Sequence, residues 1–313
     1  MINNLPDGNS NLSEYEIFAD VDFIITDLDG TLIDGTEAVL GQVKKKISKL
    51  KREQTQITVA TGRTYYGAKP RIQELGVERG IPIALYNGGI VIEYGTEKIL
   101  YASYIPQDIV FNLLSIVDLE KANIYVYTFA TRTEIFVFQN EDEFISEKVY
   151  CWGKRQKKYD VNGMLIQYMN YDEPIQSEIA AILIDCKMLS NTEIENILVT
   201  LNSYSDVRVT DSGNGFIEIK GIGMNKGIIY NILKNHPLIK ANKILAIGDN
   251  DNDVELFDGA DISVAVFNSS MLALEHADYL CAHKSASGFL DMLYVLENAK
   301  KYWREANDKK NYD

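Results

Sequence analysis

Cysteine and histidine are scarce in this chain, three of each among 313 residues. Cys151, Cys186 and Cys281 are odd in number and widely spaced, which excludes a disulfide framework and a zinc ribbon and points to a reducing compartment. His236, His276 and His283 form no HExxH pair. No apolar run approaches the roughly 20 residues that a membrane-spanning helix needs. Basic residues are also in deficit. With 31 Lys and Arg against 45 Asp and Glu, the net charge is −14, the wrong sign for a general nucleic-acid binder. The same charge repels anionic substrates at long range, so any phosphate chemistry must depend on local cations. The first 20 residues are polar and acidic, without the apolar core or small-residue cleavage site of a signal peptide. Residues 1–20 are therefore expected as a loosely ordered N-terminal extension, and the expected location is the cytoplasm.

A hydrophobic content of 46% with 24% charged residues is that of a globular protein long enough to bury a sizeable core. Apolar runs at Phe23–Thr26, Ile57–Ala60 and Ile81–Tyr86 read as buried strands. Between the first two, Val39, Leu40, Val43, Ile47 and Leu50 recur at helical spacing. Strand, helix, strand at this interval predicts an α/β fold on a parallel sheet. The pattern returns late, with a helix from Lys226 to Leu233, strands at Ile244–Ile247 and Ile262–Val266, a helix over Asp251–Phe257, and a last helix over Gly288–Ala299. The middle is α+β in character, with many short tyrosine-rich strands and helices near Gln107–Leu119 and Thr192–Leu201. This predicts a core domain of residues 21–88 and 221–313 with a second, α+β domain, residues 89–220, inserted into it.

Asp27-Leu28-Asp29-Gly30-Thr31 directly follows the first strand. In a parallel sheet the carboxyl ends of the strands face the ligand crevice, which is where Asp27 falls. Two carboxylates two residues apart repel each other and are costly in a merely structural turn, although an Asx-turn capping a helix is the alternative. A second acidic stretch, Gly248-Asp249-Asn250-Asp251-Asn252-Asp253, closes the strand Ile244–Ile247. It is not an EF-hand, because Val254 stands where the loop needs glycine and Ala260 where it needs the bidentate glutamate. Beside Asp27 and Asp29 it suits a hard cation such as Mg2+; alone, it could be a capped helix start. Thr61-Gly62-Arg63 ends the strand Ile57–Ala60, where a hydroxyl and a glycine amide can cradle phosphate, a helix N-cap being the alternative. Lys226 precedes an apolar helix and, without context, would be a surface lysine.

In this order the four segments resemble the haloacid dehalogenase superfamily of phosphohydrolases. Asp27-Leu28-Asp29-Gly30-Thr31 is similar to its first motif, Thr61 to its second, Lys226 to its third, and Gly248-Asp249 with Asn252-Asp253 to its fourth. An insertion between the second and third motifs, with Val59-Ala60-Thr61-Gly62-Arg63 and Tyr86-Asn87-Gly88-Gly89, resembles the Cof-type branch, whose α+β cap is inserted there. The resemblance implies a Rossmann-like core carrying such a cap, and a Mg2+-dependent phosphatase acting on a small phosphomonoester. Asp27 would be the nucleophile and Asp29 the general acid and base. Leu28, Thr61, Gly62, Lys226 and Asn252 would bind the phosphate. Asp27, Asp29 and Asp249 would hold the metal, and Asp253 and Arg63 would support them from behind. A sugar phosphate or phosphorylated cofactor is the expected substrate, and a monomer or weak homodimer the expected assembly. The motifs leave two alternatives open, a phosphomutase on the same fold and a non-catalytic binding protein. In the inserted domain, Tyr125, Tyr127, Tyr168, Tyr171 and the basic run Lys154-Arg155-Gln156-Lys157-Lys158 are candidate contacts to a leaving group, with packing or solvation as the alternative.

Overall fold

The computed structural model describes residues 2–33, 35–129, 133–138, 158–161, 164–168, 178–213, 215–237 and 239–310. Its strands follow the apolar runs closely. Phe23–Thr26 is buried at all four positions, and so is Ile262–Ala265, as expected for parallel strands covered on both faces. These strands belong to a six-stranded sheet in the order Asn3–Asn4, Tyr279–Leu280, Ile262–Ala265, Ile244–Gly248, Phe23–Thr26, Gln56–Val59, and every pairing is parallel. The helix Glu37–Arg52 connects two of its members. Thr36 caps it by accepting the Val39 amide, Glu37 opens it, and Lys49, Lys51 and Arg52 close it, which suits the helix dipole at both ends. Its buried face is Val43, Ile47 and Leu50.

The chain folds as two compact units, Met1–Arg63, Gly67–Tyr101 and Asn225–Asp313 in one, Thr64–Tyr66 and Ala102–Met224 in the other. The first contains the parallel sheet and a smaller sheet of Pro82–Leu85, Ile90–Glu93 and Ile99–Ala102. A break at residue 88, expected from the sequence, would cut the antiparallel hairpin in which Leu85 faces Ile90, and the division falls after Tyr101 instead. The second unit holds a seven-stranded sheet in the order Val207–Gly213, Phe216–Gly221, Ile179–Asp185, Asn123–Phe129, Thr133–Phe138, Met164–Tyr168, Lys158–Val161. Its pairings are antiparallel apart from that of Thr133–Phe138 with Met164–Tyr168. Helices Gln107–Ile116 and Asn191–Leu201 supply Ile109, Val110, Leu113, Ile197 and Leu201 to a separate core, against Ile124, Val126, Ile182 and Ile219 of that sheet.

Residues 2–20 are more ordered than expected. Asn3–Asn4 adds an edge strand beside Tyr279–Leu280, and a capping box between Asn11 and Glu14 starts the helix Leu12–Glu16. Phe18 is fully buried and meets Tyr279 edge to face at 5.0 Å, while Tyr15 meets Tyr302 at 5.4 Å. Two aromatic anchors in a polar stretch are too few to register as a pattern, yet enough to tie the segment down. Among the described residues, no helix is long and apolar enough to cross a membrane.

Candidate active site

Three neighbouring strands deliver the site. Asp27 follows Phe23–Thr26, Thr61 lies just beyond Gln56–Val59, and Asp249 follows Ile244–Gly248. Backbone bonds continue the sheet into these ends, from Asp27 N to Ile247 O (3.0 Å) and from Ala60 N to Thr26 O (2.9 Å). The carboxyl ends are therefore held side by side before any side-chain chemistry begins.

Lys226 is 1% exposed, and its ammonium lies 2.6 Å from Asp27 Oδ1 and 2.7 Å from Asp253 Oδ1. A buried cation persists only when paired, and this one serves two carboxylates. Burial opposes its charge, but Asp253 and Asp27 prevail and hold its pKa above the ordinary lysine value. Asp253 is saturated on its other oxygen too, since Oδ2 accepts the amides of Asp249 (2.9 Å) and Asn250 (3.0 Å). It shapes the loop and braces Lys226.

Asp27, Asp249 and Asp253 present carboxylate oxygens that all lie within 4.8 Å of one another. Among the described residues, the single ammonium of Lys226 is the cation paired with Asp27 and Asp253, so the cluster is short of positive charge. Burial first, then Asp253 and Asp249, push the Asp27 carboxyl up to about 8 against the pull of Lys226. Asp249 is pushed up to about 6, again chiefly by burial, although Thr31 Oγ1 donates to its Oδ1 at 2.8 Å. An all-oxygen set with unbalanced negative charge fits a hard divalent cation. Because Asp253 is occupied by its partners, Asp27 and Asp249 are the carboxylates suited to hold one. Gly30 makes their approach possible. At φ +79° it adopts a left-handed conformation, and a Cβ there would lie 2.2 Å from Asp249 Oδ2.

Asp29 stands apart from this buried cluster. Its side chain is 56% exposed and forms a two-pronged ion pair with Arg63, Nε to Oδ2 at 2.7 Å and Nη2 to Oδ1 at 2.6 Å. The bond to Asp29 raises the Arg63 pKa further. Thr61 is fully buried, and its Oγ1 accepts the Arg63 amide at 3.2 Å. Thr61 N also donates to Ala84 O (3.0 Å), and Thr61 O accepts Asn87 N (2.9 Å). Leu28 is fully buried, so only its main chain is available to a ligand. Gly62 is exposed at the surface of the same loop, and Asn252 Nδ2 donates to Asn87 Oδ1 at 2.9 Å.

The structure thus brings Asp27, Asp249, Asp253 and Lys226 into one cluster and pairs Asp29 with Arg63. Sequence reasoning leaves out two residues of the surroundings. Thr31 orients Asp249, and Asn87 holds Asn252; both stand within the sequence motifs Asp27–Thr31 and Tyr86–Gly89, where the pattern gives them no role. In the second unit, Tyr125 is buried in the sheet and Tyr127 half-buried. Tyr171 and Lys154-Arg155-Gln156-Lys157 lie outside the described residues, and Tyr168 and Lys158 are described only as strand backbone.

A sequence profile described as haloacid dehalogenase-like hydrolase matches residues 24–293. The 5-amino-6-(5-phospho-D-ribitylamino)uracil phosphatase of Bacillus subtilis is 24% identical over 78% of this chain and 86% of its own length. A crystal structure of a haloacid dehalogenase-like hydrolase from Bacteroides thetaiotaomicron superposes with a TM-score of 0.70 at 22% identity, covering 88% of this chain and 98% of its own. A subclass IIB sugar phosphatase superposes with a TM-score of 0.63 at 18% identity, over 90% of this chain and 98% of its own.

Proposed function

The chain belongs to the haloacid dehalogenase-like hydrolases, and on that premise we propose that it is a Mg2+-dependent phosphatase of small phosphorylated metabolites, with Asp27 as covalent nucleophile. The observation that carries this reading is the buried Asp27 carboxylate at a strand end, 2.6 Å from Lys226 and grouped with Asp249.

An Asp27 carboxylate oxygen attacks phosphorus in line, and the bond to the leaving oxygen breaks as the aspartyl-phosphate forms. Asp29 donates a proton to that leaving oxygen, then takes one from the water that hydrolyses the intermediate and releases phosphate. Its exposure suits a group that must exchange protons with solvent, and Arg63 fixes its direction. Lys226, the Thr61 hydroxyl, the Gly62 amide, the Leu28 main chain and Asn252 share the phosphoryl charge. Mg2+, held by Asp27, Asp249 and the Asp29 main-chain carbonyl, would neutralise charge on the phosphoryl oxygens.

The substrate class we propose is a sugar phosphate or a phosphorylated cofactor or precursor, in keeping with the names of the Bacillus subtilis relative and of the sugar phosphatase. All the chemistry named above lies in the first unit, so we assign the choice of leaving group to the second. The test is a screen of phosphorylated metabolites read by released phosphate, with Asp27→Asn as control. Release by the parent chain and none by the folded variant supports the reading. Isomerised substrate without free phosphate would replace it with a mutase, and no turnover of any kind would remove it.

A further inference from the structure

Beside the site, Tyr86, Asn87 and Gly88 form a turn in which three successive residues are left-handed, with φ of 51°, 55° and 85°. Tyrosine avoids this region unless the surroundings enforce it, whereas asparagine tolerates it better than most residues. Here each residue of the turn contacts a different part of the site. Tyr86 N donates to Arg63 O (3.2 Å), and Asn87 N donates to Thr61 O (2.9 Å). The buried Asn87 side chain lies over Gly62, and its Oδ1 accepts Asn252 Nδ2 at 2.9 Å. Gly88 packs on the carbonyl of Asn225, the neighbour of Lys226, so closely that a Cβ would come within 1.9 Å of that oxygen. The turn therefore touches the Thr61–Arg63 loop, the Asn225–Lys226 segment and Asn252, which are far apart in sequence and converge on the proposed phosphate position.

We propose that Asn87 is a positioning residue, whose amide sets Asn252 and the Thr61-Gly62-Arg63 loop in fixed relation so that both meet one phosphoryl group. The inference rests on the phosphatase reading above and adds to it a residue that does not itself touch the substrate. The physical argument is that loop side chains acting on one anion must be held to within a fraction of an ångström, and misplacement by about 1 Å can cost about 10²-fold in rate. Asn252, half-buried on a short 3-10 turn, is oriented by this bond to Asn87. The left-handed backbone is the means by which Asn87 reaches both neighbours at once.

The test is a double-mutant cycle in the full chain, with a generic aryl phosphate as substrate and inorganic phosphate as competing ligand. Asn87→Gly keeps a residue at ease with φ of 55° and deletes only the amide. It is expected to lower kcat/KM about 10- to 100-fold and to weaken phosphate inhibition in parallel, with little change in Tm. Asn252→Ala is expected to add no further loss in the Asn87→Gly background. In an Asn87→Asp background, which keeps an acceptor for Asn252, the Asn252→Ala loss should return in full. Multiplicative losses in the Asn87→Gly cycle, or a change in Tm with unaltered kcat/KM and phosphate inhibition, would overturn the proposal while leaving an active phosphatase in place. If Asn87→Gly fails to fold, the cycle built on Asn87→Asp decides, because absence of any Asn252→Ala effect there also overturns it. A parent chain that hydrolyses no phosphate ester would instead remove the reading on which the inference rests.

Discussion

The ammonium of Lys226 lies 2.6 Å from the carboxylate of Asp27, with both side chains almost wholly buried. Replacing Lys226 with Met should leave Asp27 and Asp253 facing each other without a counter-charge, at a cost of about 3–5 kcal/mol. The deficit should shrink as pH falls, because protonating either acid relieves the repulsion. Urea unfolding of the Lys226→Met variant on both sides of neutrality measures this, and equal stability to the parent would show that the pair is not held as ions.

Asp249 links pH to metal binding. Its folded pKa of about 6 stands above the ordinary value of 3.8. In the metal-free protein, its contribution to stability is therefore full below about 3.8 and is lost as pH rises through about 6. A cation needs both Asp249 and Asp27 ionised, so the rise in Tm on adding Mg2+ should be small below pH 6 and keep growing towards about pH 8. Asp249→Asn should remove the part of that dependence near pH 6 and leave the part due to Asp27, as read by thermal melts with and without metal.

Thr31 Oγ1 is bonded to Asp249 Oδ1 at 2.8 Å. Thr31→Val keeps the shape and removes the donor. Metal ligands stripped of such a partner typically lose about 10- to 100-fold in affinity. The Mg2+ concentration for half-maximal stabilisation should rise by that order, and an unchanged value would show that Asp249 is positioned by the loop alone.

Arg63 and Asp29 separate activity from stability. Their pair is substantially exposed, with side-chain exposures of 35% and 56%, and exposed pairs contribute only about 0–1 kcal/mol. Arg63→Ala should barely move Tm. Its effect on kcat should be larger, up to about 10²-fold, because a general acid that swings freely transfers its proton less often in register. Loss of stability with normal kcat would reverse this assignment.

The parallel strands are legible because burial on both faces writes them as continuous apolar runs, and Phe23–Thr26 has the same bounds in sequence and structure. The helix Tyr65–Leu75 is not, since it contains Gly67 and Pro70 and lacks a clear apolar stripe. Strands of two residues, Asn3–Asn4 and Tyr279–Leu280, exist only through their pairing across the chain and have no local signal. The same limit applies to the site. Aspartates at strand ends stand out by position, whereas the bonds Thr31–Asp249 and Asn87–Asn252 join residues 218 and 165 positions apart. The order of residues 2–20 escapes a reading by composition, because a few aromatic anchors tie down a stretch that is polar on average.

The central claim is that Asp27 carries the phosphoryl group. It is tested by mixing the full chain with a 32P-labelled aryl phosphate and Mg2+, quenching in acid within one turnover, and mapping the label by peptide. The account predicts acid-stable label on the peptide containing Asp27, absent from Asp27→Asn and increased in Asp29→Asn to the extent that hydrolysis is slowed more than formation. Rapid release of phosphate with no label on the protein at any time, or label on a different residue, would contradict it.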